Sequence, residues 1–261
     1  MRTLLLLSLS ALVAASVGDS PSTEGEDLRF SVSYNWHSAA TDVASARIFF
    51  KEETLNGQPV LHVGLNARTA KFFDVFFKVR EDFNSWVSAK DYRPLRYVRN
   101  TREGSYTAFN RYEYDWPAGK IHAVVQKRDR DPQQLDIPLE GECYDLPSLL
   151  FYLRTLNLEG APVGKTIRVP YVFSVDRSSI SLIYKGKEVK SIRGLGKIAV
   201  IKFSLTVADE DVFEADSLAE IWVSDDENRI PVYFVAPLKV GAMSGRLRSY
   251  EGLKHPLAII Q

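Results

Sequence analysis

The sequence predicts a mainly β protein, built as a strongly curved antiparallel sheet or incomplete β-barrel with one main α-helix at about residues 145–157. Three observations carry this prediction. Apolar and polar residues alternate with a period of two over most of the chain, short turn sequences separate the alternating runs, and one segment has helical spacing. We interpret residues 1–18 as a signal peptide and residues 19–261 as a single β-rich domain.

The first 18 residues have the composition of a secretory signal peptide. Arg2 precedes an apolar run from Leu4 to Ala15, and small residues follow where a signal peptidase would cleave. The run is shorter than the roughly 20 residues that cross a bilayer, and no later run of the sequence reaches that length. We therefore expect an exported protein of a bacterial periplasm that is soluble after cleavage and has no transmembrane anchor.

The alternating runs follow one another with short connections, as in an antiparallel meander. Asn56-Gly57 separates the second run from the third, and Asn-Gly between alternating runs is the strongest short-range hairpin signal. Glu103-Gly104 and residues 117–119 mark two further turns. The predicted strand segments are 28–36, 45–53, 61–69, 79–88, 93–101, 105–116, 120–128, 165–173, 179–192 with a turn at Lys185-Gly186, 196–208, 217–224, 229–238 and 240–253.

The period changes once, in the segment 144–160. Asp145 is a favourable N-cap and Gly160 lies just past the end of the apolar pattern. This spacing predicts a helix from Leu146 to about Asn157, packed against the concave side of the sheet. Its apolar stripe, which we expect to be buried, consists of Leu146, Leu149, Leu150, Leu153 and Leu156.

Composition excludes several classes of function. The chain carries 33 Lys and Arg against 33 Asp and Glu, so it lacks the basic excess of a nucleic-acid-binding protein. Cys143 is the only cysteine, which leaves an exported chain without an internal disulfide. The four histidines never stand at metal-ligand spacing, and no motif of a nucleophilic or phosphate-binding enzyme fits. We therefore predict no cofactor, no metal site and no catalytic residue.

The densest aromatic stretch is KFFDVFFK at residues 71–78. Phe72, Phe73, Phe76 and Phe77 recur at i, i+1, i+4 and i+5, which favours a short helix or a bulged crossing before the next strand. One interpretation is a plug that closes the end of the β structure. The other is a surface for a ligand or a partner, because a large exposed apolar patch usually marks an interaction site. We expect Phe73 and Phe77 to be buried, with Phe72 and Phe76 nearer the rim of any cavity.

Other aromatic residues extend this candidate site. The residues that we select as ligand- or partner-binding are Phe72, Phe73, Phe76, Phe77, Trp86, Tyr112, Tyr114 and Trp116. The expected occupant is a lipid or other amphipathic ligand, or an envelope protein.

Four stretches of the sequence together resemble a known family. They are KFFDVFFKVREDFNSWVS, YRPLRYVRNTREGSYTAFNRYEYDW, CYDLPSLLFYLRTLNLEG and EIWVSDDENRIPVYFVAPLKVGAMSGRLRSYEG. In this order they resemble domain-of-unknown-function family 3108 of bacterial exported proteins. The resemblance implies an envelope location, a predominantly antiparallel β architecture and no established activity. Many members carry a further cysteine in the strand matching Gly196–Phe203; this chain has none there, so the resemblance implies no disulfide for Cys143.

These observations favour a non-catalytic envelope protein that binds an apolar or amphipathic ligand or an envelope partner. A structural or assembly factor with a filled core is the first alternative. An envelope-glycan hydrolase is the second, and it would need two carboxylates roughly 5–10 Å apart in a cleft.

Overall fold

A computed structural model describes residues 20–36, 39–206, 218–238 and 240–260. The predicted signal peptide, His37 and the predicted strand positions 207, 208 and 217 lie outside these residues.

One α-helix and fifteen strands form in the described part of the chain. The helix, α1, runs from Leu146 to Thr155, and a single 3-10 turn covers Phe73–Val75. The strands are β1 (Asp27–Trp36), β2 (Ala39–Leu55), β3 (Gln58–Thr69), β4 (Val79–Ser88), β5 (Pro94–Glu103), β6 (Tyr106–Asp115), β7 (Lys120–Lys127), β8 (Gln133–Pro138), β9 (Thr166–Phe173), β10 (Asp176–Ile192), β11 (Gly196–Thr206), β12 (Leu218–Ser224), β13 (Pro231–Pro237), β14 (Ala242–Glu251) and β15 (Ile259–Ile260).

The strands form one antiparallel sheet in the order β8-β7-β6-β5-β4-β3-β2-β1-β14-β13-β12-β11-β10-β9, with β15 added beside β11. The sheet curls until its two ends face the same interior. Val172 of β9 packs in the same buried cluster as Phe83, Tyr97 and Tyr112 of strands β4 to β6. The Tyr112 hydroxyl donates a hydrogen bond to the carbonyl of Ser174, just past β9. Among the described residues no ladder joins β8 to β9, so the sheet is not closed. The prediction of a strongly curved sheet or incomplete barrel is confirmed.

Helix α1 lies inside this curved sheet and packs against β3, β4 and β9. Asp145 and Ser148 form a capping box, in which each side chain accepts a hydrogen bond from the other residue's backbone N–H. Phe151 is fully buried, with its ring centroid 5.9 Å from that of Phe50 and 5.1 Å from that of Tyr92. The interior at this end of the sheet is therefore filled by the protein's own side chains.

The helix is where the sequence predicted it, but its buried face differs from the predicted stripe. Leu149 is buried, whereas Leu146, Leu150, Leu153 and Leu156 are only partly buried. The other fully buried positions of the helix are Pro147, Ser148, Phe151 and Arg154. A helix enclosed by a curved sheet contacts neighbours on several sides, so its burial does not follow one stripe.

Arg154 is buried against Glu26, which precedes β1. Its guanidinium donates to both carboxylate oxygens of Glu26 at 2.6 and 3.0 Å, and also to the carbonyls of Pro21 and Asn228. This pair ties the start of the described chain to the helix. The sequence analysis did not predict it, nor did it predict strand β8 at the edge of the sheet.

Candidate functional site

The connection between β3 and β4, residues 70–78, displays apolar side chains to solvent; we call it the phenyl loop. Phe72, Val75, Phe76 and Phe77 are 73%, 85%, 75% and 56% exposed, and Phe73 is half-buried. The expected burial of Phe77 is therefore wrong, and Phe73 is buried only in part. The ordered turn is short: only Phe73–Val75 forms a 3-10 turn, and none of its residues is buried, so the segment does not present a buried face to the core.

The phenyl loop is held in place by Asp74. Its carboxylate accepts two hydrogen bonds from the Arg80 guanidinium, at 2.9 and 2.5 Å, and one from the Thr69 hydroxyl at 2.5 Å. The hydrogen bonds from Arg80 and Thr69 lower the pKa of Asp74 to about 2. The Phe77 ring lies beside Gly104 in the next turn, where a methyl group on the glycine would come within 3.2 Å of it. The exposed rings are thus presented by an ordered loop.

Three arginines stand directly opposite one another on the strands that enter and follow the phenyl loop. Arg68 on β3 pairs in register with Arg80 on β4, and Arg80 pairs with Arg102 on β5. Ser45 on β2 precedes Arg68 in this row and Thr107 on β6 follows Arg102. We call the four arginines Arg68, Arg80, Arg102 and Arg128, the last of which lies at the end of this row, the arginine file. The backbone N–H of Arg128 donates to the Thr107 carbonyl.

Like charges directly opposite each other destabilise a sheet, so the arginine file needs an explanation. Arg80 is neutralised by Asp74. Within the part of the chain that the structure describes, Arg68, Arg102 and Arg128 have no carboxylate within ion-pair distance. All three are exposed. The arginine file therefore presents uncompensated positive charge at the edge of the phenyl loop.

A cavity of 1290 Å³ runs along eight neighbouring strands of the sheet, β14 and β1 to β7, and is lined by every member of the arginine file. Its lining adds Arg29, Arg47 and Arg248, which makes seven arginines against two carboxylates, Glu81 and Asp82. Arg29 and Arg47 share the carboxylate of Asp27. Because side chains alternate along β4, Arg80 shares a face with Asp82 and lies on the opposite face from Glu81, so the arginine file faces away from the core. On that face the arginines outnumber the acids, which favours an anionic ligand.

Glu81 is a partly buried acid in this region. Thr101 donates to its Oε2 at 2.7 Å, and Arg99 in turn donates to the Thr101 hydroxyl at 2.6 Å. Oε1 of Glu81 is buried without a hydrogen-bond partner among the described residues. Burial raises the pKa of Glu81 to about 7, despite the hydrogen bond from Thr101, and the neighbouring Glu103 acts in the same direction.

A second acid lies deeper, at the start of α1. Asp145 accepts hydrogen bonds from the hydroxyls of Ser85, Tyr114 and Ser148. Its burial raises its pKa to about 6, against the effect of these bonds. Because it caps the helix and is fully enclosed, we assign Asp145 a structural role.

The eight aromatic residues selected from the sequence do not form one site. Tyr112 and Tyr114 are buried in the core. Trp116, just past the end of their strand, is only partly buried, and its indole N–H donates to the Pro94 carbonyl. Trp86 lies on the opposite face of its strand from the core, stacked on His62 at 4.6 Å between ring centroids. Tyr112, Tyr114 and Trp116 contact one another through their rings, but in the core. The four phenylalanines of the phenyl loop form the exposed group, and of these Phe73 contributes least to the surface.

The arginine file was missed because sequence reasoning followed the aromatic residues. Arg68, Arg80 and Arg102 each lie one or two residues from a turn, so pairing the strands of the two predicted hairpins would have placed the three arginines opposite one another.

Among the described residues no group of three or more His, Cys, Asp and Glu side chains is arranged to hold a metal ion. No helix of the described chain is long and apolar enough to cross a membrane.

Comparison with family models gives the relationship of the chain. A model described as "Protein of unknown function (DUF3108)" matches residues 29–248. The chain belongs to the DUF3108 family. The phenyl loop, the arginine file and α1 of this DUF3108 protein all lie within the matched segment.

A solved structure supports the fold of this DUF3108 protein. It is the beta-barrel-like protein of domain of unknown function DUF1849 from Brucella abortus, with a TM-score of 0.53 and 10% sequence identity. The match covers 88% of this chain and 98% of the other. At this identity the likeness concerns the fold alone. A search of curated proteins found no match.

Proposed function

We propose that this DUF3108 protein is an exported, non-catalytic envelope protein that binds an anionic amphiphile. The apolar part of the ligand packs on the exposed rings of the phenyl loop, and its polar head lies against the arginine file. The observation that carries the proposal is the contact between the phenyl loop and the arginine file: the carboxylate of Asp74 in the loop accepts two hydrogen bonds from Arg80, the middle arginine of the file.

The exposure of the loop supports the apolar half of the proposal. Phe72, Phe76 and Phe77 are each more than half exposed, and burying an aromatic side chain in a complex removes about 150–250 Å² of surface from water. Because Asp74 already fixes the loop, little conformational entropy is lost when a ligand settles on it. These conditions favour binding of an acyl chain or a similar apolar group.

The charge of the file supports the polar half. Guanidinium groups bind carboxylate and phosphate oxygens through paired hydrogen bonds, which are stronger than bonds between neutral groups. Arg68 and Arg102 are exposed and without an acidic partner in the described chain, so an anionic head would offset their mutual repulsion.

The alternatives receive less support from the geometry. The filled interior around Phe151 suits a structural factor, but it gives no reason for an ordered loop of exposed phenyl rings. A glycan hydrolase needs two carboxylates facing one cleft. Glu81 and Asp82, the acids that line the cavity, are successive residues of β4 and point to opposite faces of the sheet.

The test uses single-chain phospholipids below their micelle-forming concentration. Calorimetric titration of the mature chain should give measurable affinity for lysophosphatidylglycerol, which is anionic, and much weaker affinity for lysophosphatidylcholine, which is zwitterionic. The double variant Phe72→Ser/Phe76→Ser should lose about tenfold or more in affinity, since about 2 kcal/mol of apolar contact would be removed.

The matched control is Val163→Ser/Val189→Ser, which removes two exposed apolar side chains outside the phenyl loop and should leave affinity unchanged. Equal affinity for the two lipids, or a phenyl-loop variant that binds as well as the control, would reject the proposal. Export is tested by a separate measurement: the intact mass of protein recovered from the periplasm should be that of the chain without residues 1–18.

A further inference from the structure

The arginine file has a geometry suited to one kind of anion. Neighbouring strands lie about 4.8 Å apart, so the backbones at Arg68 and Arg102 are separated by two spacings, or about 10 Å, with Arg80 between them. Arginine side chains are long enough to converge over that distance on a single small group. An anion placed above Arg80 is thus within reach of the guanidinium groups on both sides.

The charges within the file set the charge of that anion. Arg80 is satisfied by Asp74 and its guanidinium is further fixed by donating to the Val79 carbonyl at 2.6 Å. Arg68 and Arg102 flank it with two positive charges that no described carboxylate balances. A carboxylate head would offset one of these charges, whereas a dianion offsets both.

A phosphomonoester meets these requirements. It carries nearly two negative charges above its second pKa of about 6, and it has three terminal oxygens that can each accept from a guanidinium. Ser45 and Thr107 lie at the two ends of the same row, about 10 Å from Arg80 on either side, so the phosphate is held by the arginines rather than by these hydroxyls. Arg128, held at a positive φ of 55° beside Thr107, extends the cationic edge by one more strand.

We propose that Arg68 and Arg102 bind a terminal phosphate dianion across Arg80. This inference rests on the proposed function in so far as the phosphate is the head of the amphiphile. A free phosphate would use the same chemistry without the phenyl loop, and the experiment separates the two sources.

The experiment compares three probes at pH 8 and fixed ionic strength: lysophosphatidic acid, which ends in a phosphomonoester, lysophosphatidylglycerol, which contains a phosphodiester, and inorganic phosphate. We expect the native chain to bind lysophosphatidic acid about tenfold or more tightly than lysophosphatidylglycerol, the difference expected for one additional charge-assisted contact. Arg68→Gln and Arg102→Gln should each remove this preference.

Two sets of variants control the measurement. Arg193→Gln changes an exposed arginine that does not line the cavity, and it should bind as the native chain does. Arg68→Lys and Arg102→Lys keep the charge but lose the paired donors, so they should bind lysophosphatidic acid with intermediate affinity. Thermal unfolding of each variant verifies that it is folded, which is expected because Arg68 and Arg102 are exposed.

The outcomes are distinct. Equal binding of the two lipids by the native chain, or unchanged preference in Arg68→Gln and Arg102→Gln, overturns the phosphate inference while leaving amphiphile binding intact. Inorganic phosphate that binds as tightly as lysophosphatidic acid, with the same sensitivity to both variants, supports the phosphate site and rejects the amphiphile. If inorganic phosphate competes only weakly with lysophosphatidic acid, and the native chain prefers that lipid to lysophosphatidylglycerol, both the phosphate site and amphiphile binding are supported.

Discussion

Asp74 and Arg80 form a two-point ion pair, with N–O distances of 2.9 and 2.5 Å, that connects the phenyl loop to the arginine file. The loop and the file therefore act as one surface: the same carboxylate that orders the exposed rings also cancels the charge of the middle arginine. An isolated exposed ion pair stabilises a protein little. This one matters because of what it positions.

The order of the phenyl loop should depend on pH through Asp74. Its pKa in the folded protein, about 2, is below the ordinary value of 3.8, so its stabilising contribution is present above pH 3.8 and is lost as the pH falls through about 2. We expect amide hydrogen exchange in residues 70–78 to be steady above pH 4, once corrected for its intrinsic pH dependence, and to accelerate between pH 4 and 2. Asp74→Asn should show the faster exchange already at neutral pH. If Asp74→Asn exchanges as slowly as the native chain at neutral pH, the backbone turn alone orders the loop.

Exposed and buried phenylalanines should separate clearly in stability. Phe76→Ser removes a ring that is 75% exposed, so we expect the free energy of unfolding to change by about 0.5 kcal/mol or less. Phe151→Ala empties a fully buried position against Phe50 and should cost about 3–5 kcal/mol. Denaturant unfolding of the two variants provides the comparison. A large loss for Phe76→Ser would place its ring in the core and remove it from the proposed ligand surface.

Stability should fall as the pH rises through the range in which Glu81 ionises. Its folded-state pKa of about 7 is above the ordinary 4.5, because burial disfavours the charged form. The folded state therefore binds the proton more tightly than the unfolded state, and the resulting stabilisation is complete below pH 4.5 and lost by about pH 7. Glu81→Gln should weaken this dependence, as measured by thermal unfolding across the range. Asp145, with a pKa of about 6, contributes in the same direction, so some dependence will remain in the variant. A variant whose pH profile matches that of the native chain would assign the effect to the other acids whose pKa burial raises, Asp145 and Glu26.

The buried pair of Arg154 and Glu26 should be costly to break from one side. Arg154→Met leaves Glu26 enclosed without its partner, which typically costs about 3–5 kcal/mol. Burial raises the pKa of Glu26 and the Arg154 guanidinium opposes that rise, so removing Arg154 should make the variant more stable at acid pH than at neutral pH. The double variant Glu26→Gln/Arg154→Met should recover part of the loss. Additive effects of the two single changes in denaturant unfolding would show that the pair is not coupled.

Local features of the chain were predicted from sequence because they depend on neighbouring residues. Asp145 was predicted as the N-cap from its place just before the helical spacing, and in the structure it caps α1 together with Ser148, three positions further on. Asn56-Gly57 marked the β2–β3 turn, where both residues adopt positive φ angles. Alternation along β4 puts Phe83, Ser85 and Val87 on one face, and that face is buried in the structure. A capping residue, a turn dipeptide and an alternating run each specify their structure within a few residues.

The candidate site depends on contacts between residues that are distant in sequence, and only the tertiary structure decided these contacts. Arg68, Arg80 and Arg102 form a row because two hairpins fix the register of three strands, and a shift of one residue would have turned them to the other face. Arg154 meets Glu26 across a separation of 128 residues. The sequence by itself determined that phenylalanines cluster at 72–77 and that strands flank them; whether the rings were buried depended on what the curled sheet left unfilled. The ion pair between Asp74 and Arg80 holds the phenyl loop at the surface, beside arginines that the pairing of the strands had brought together.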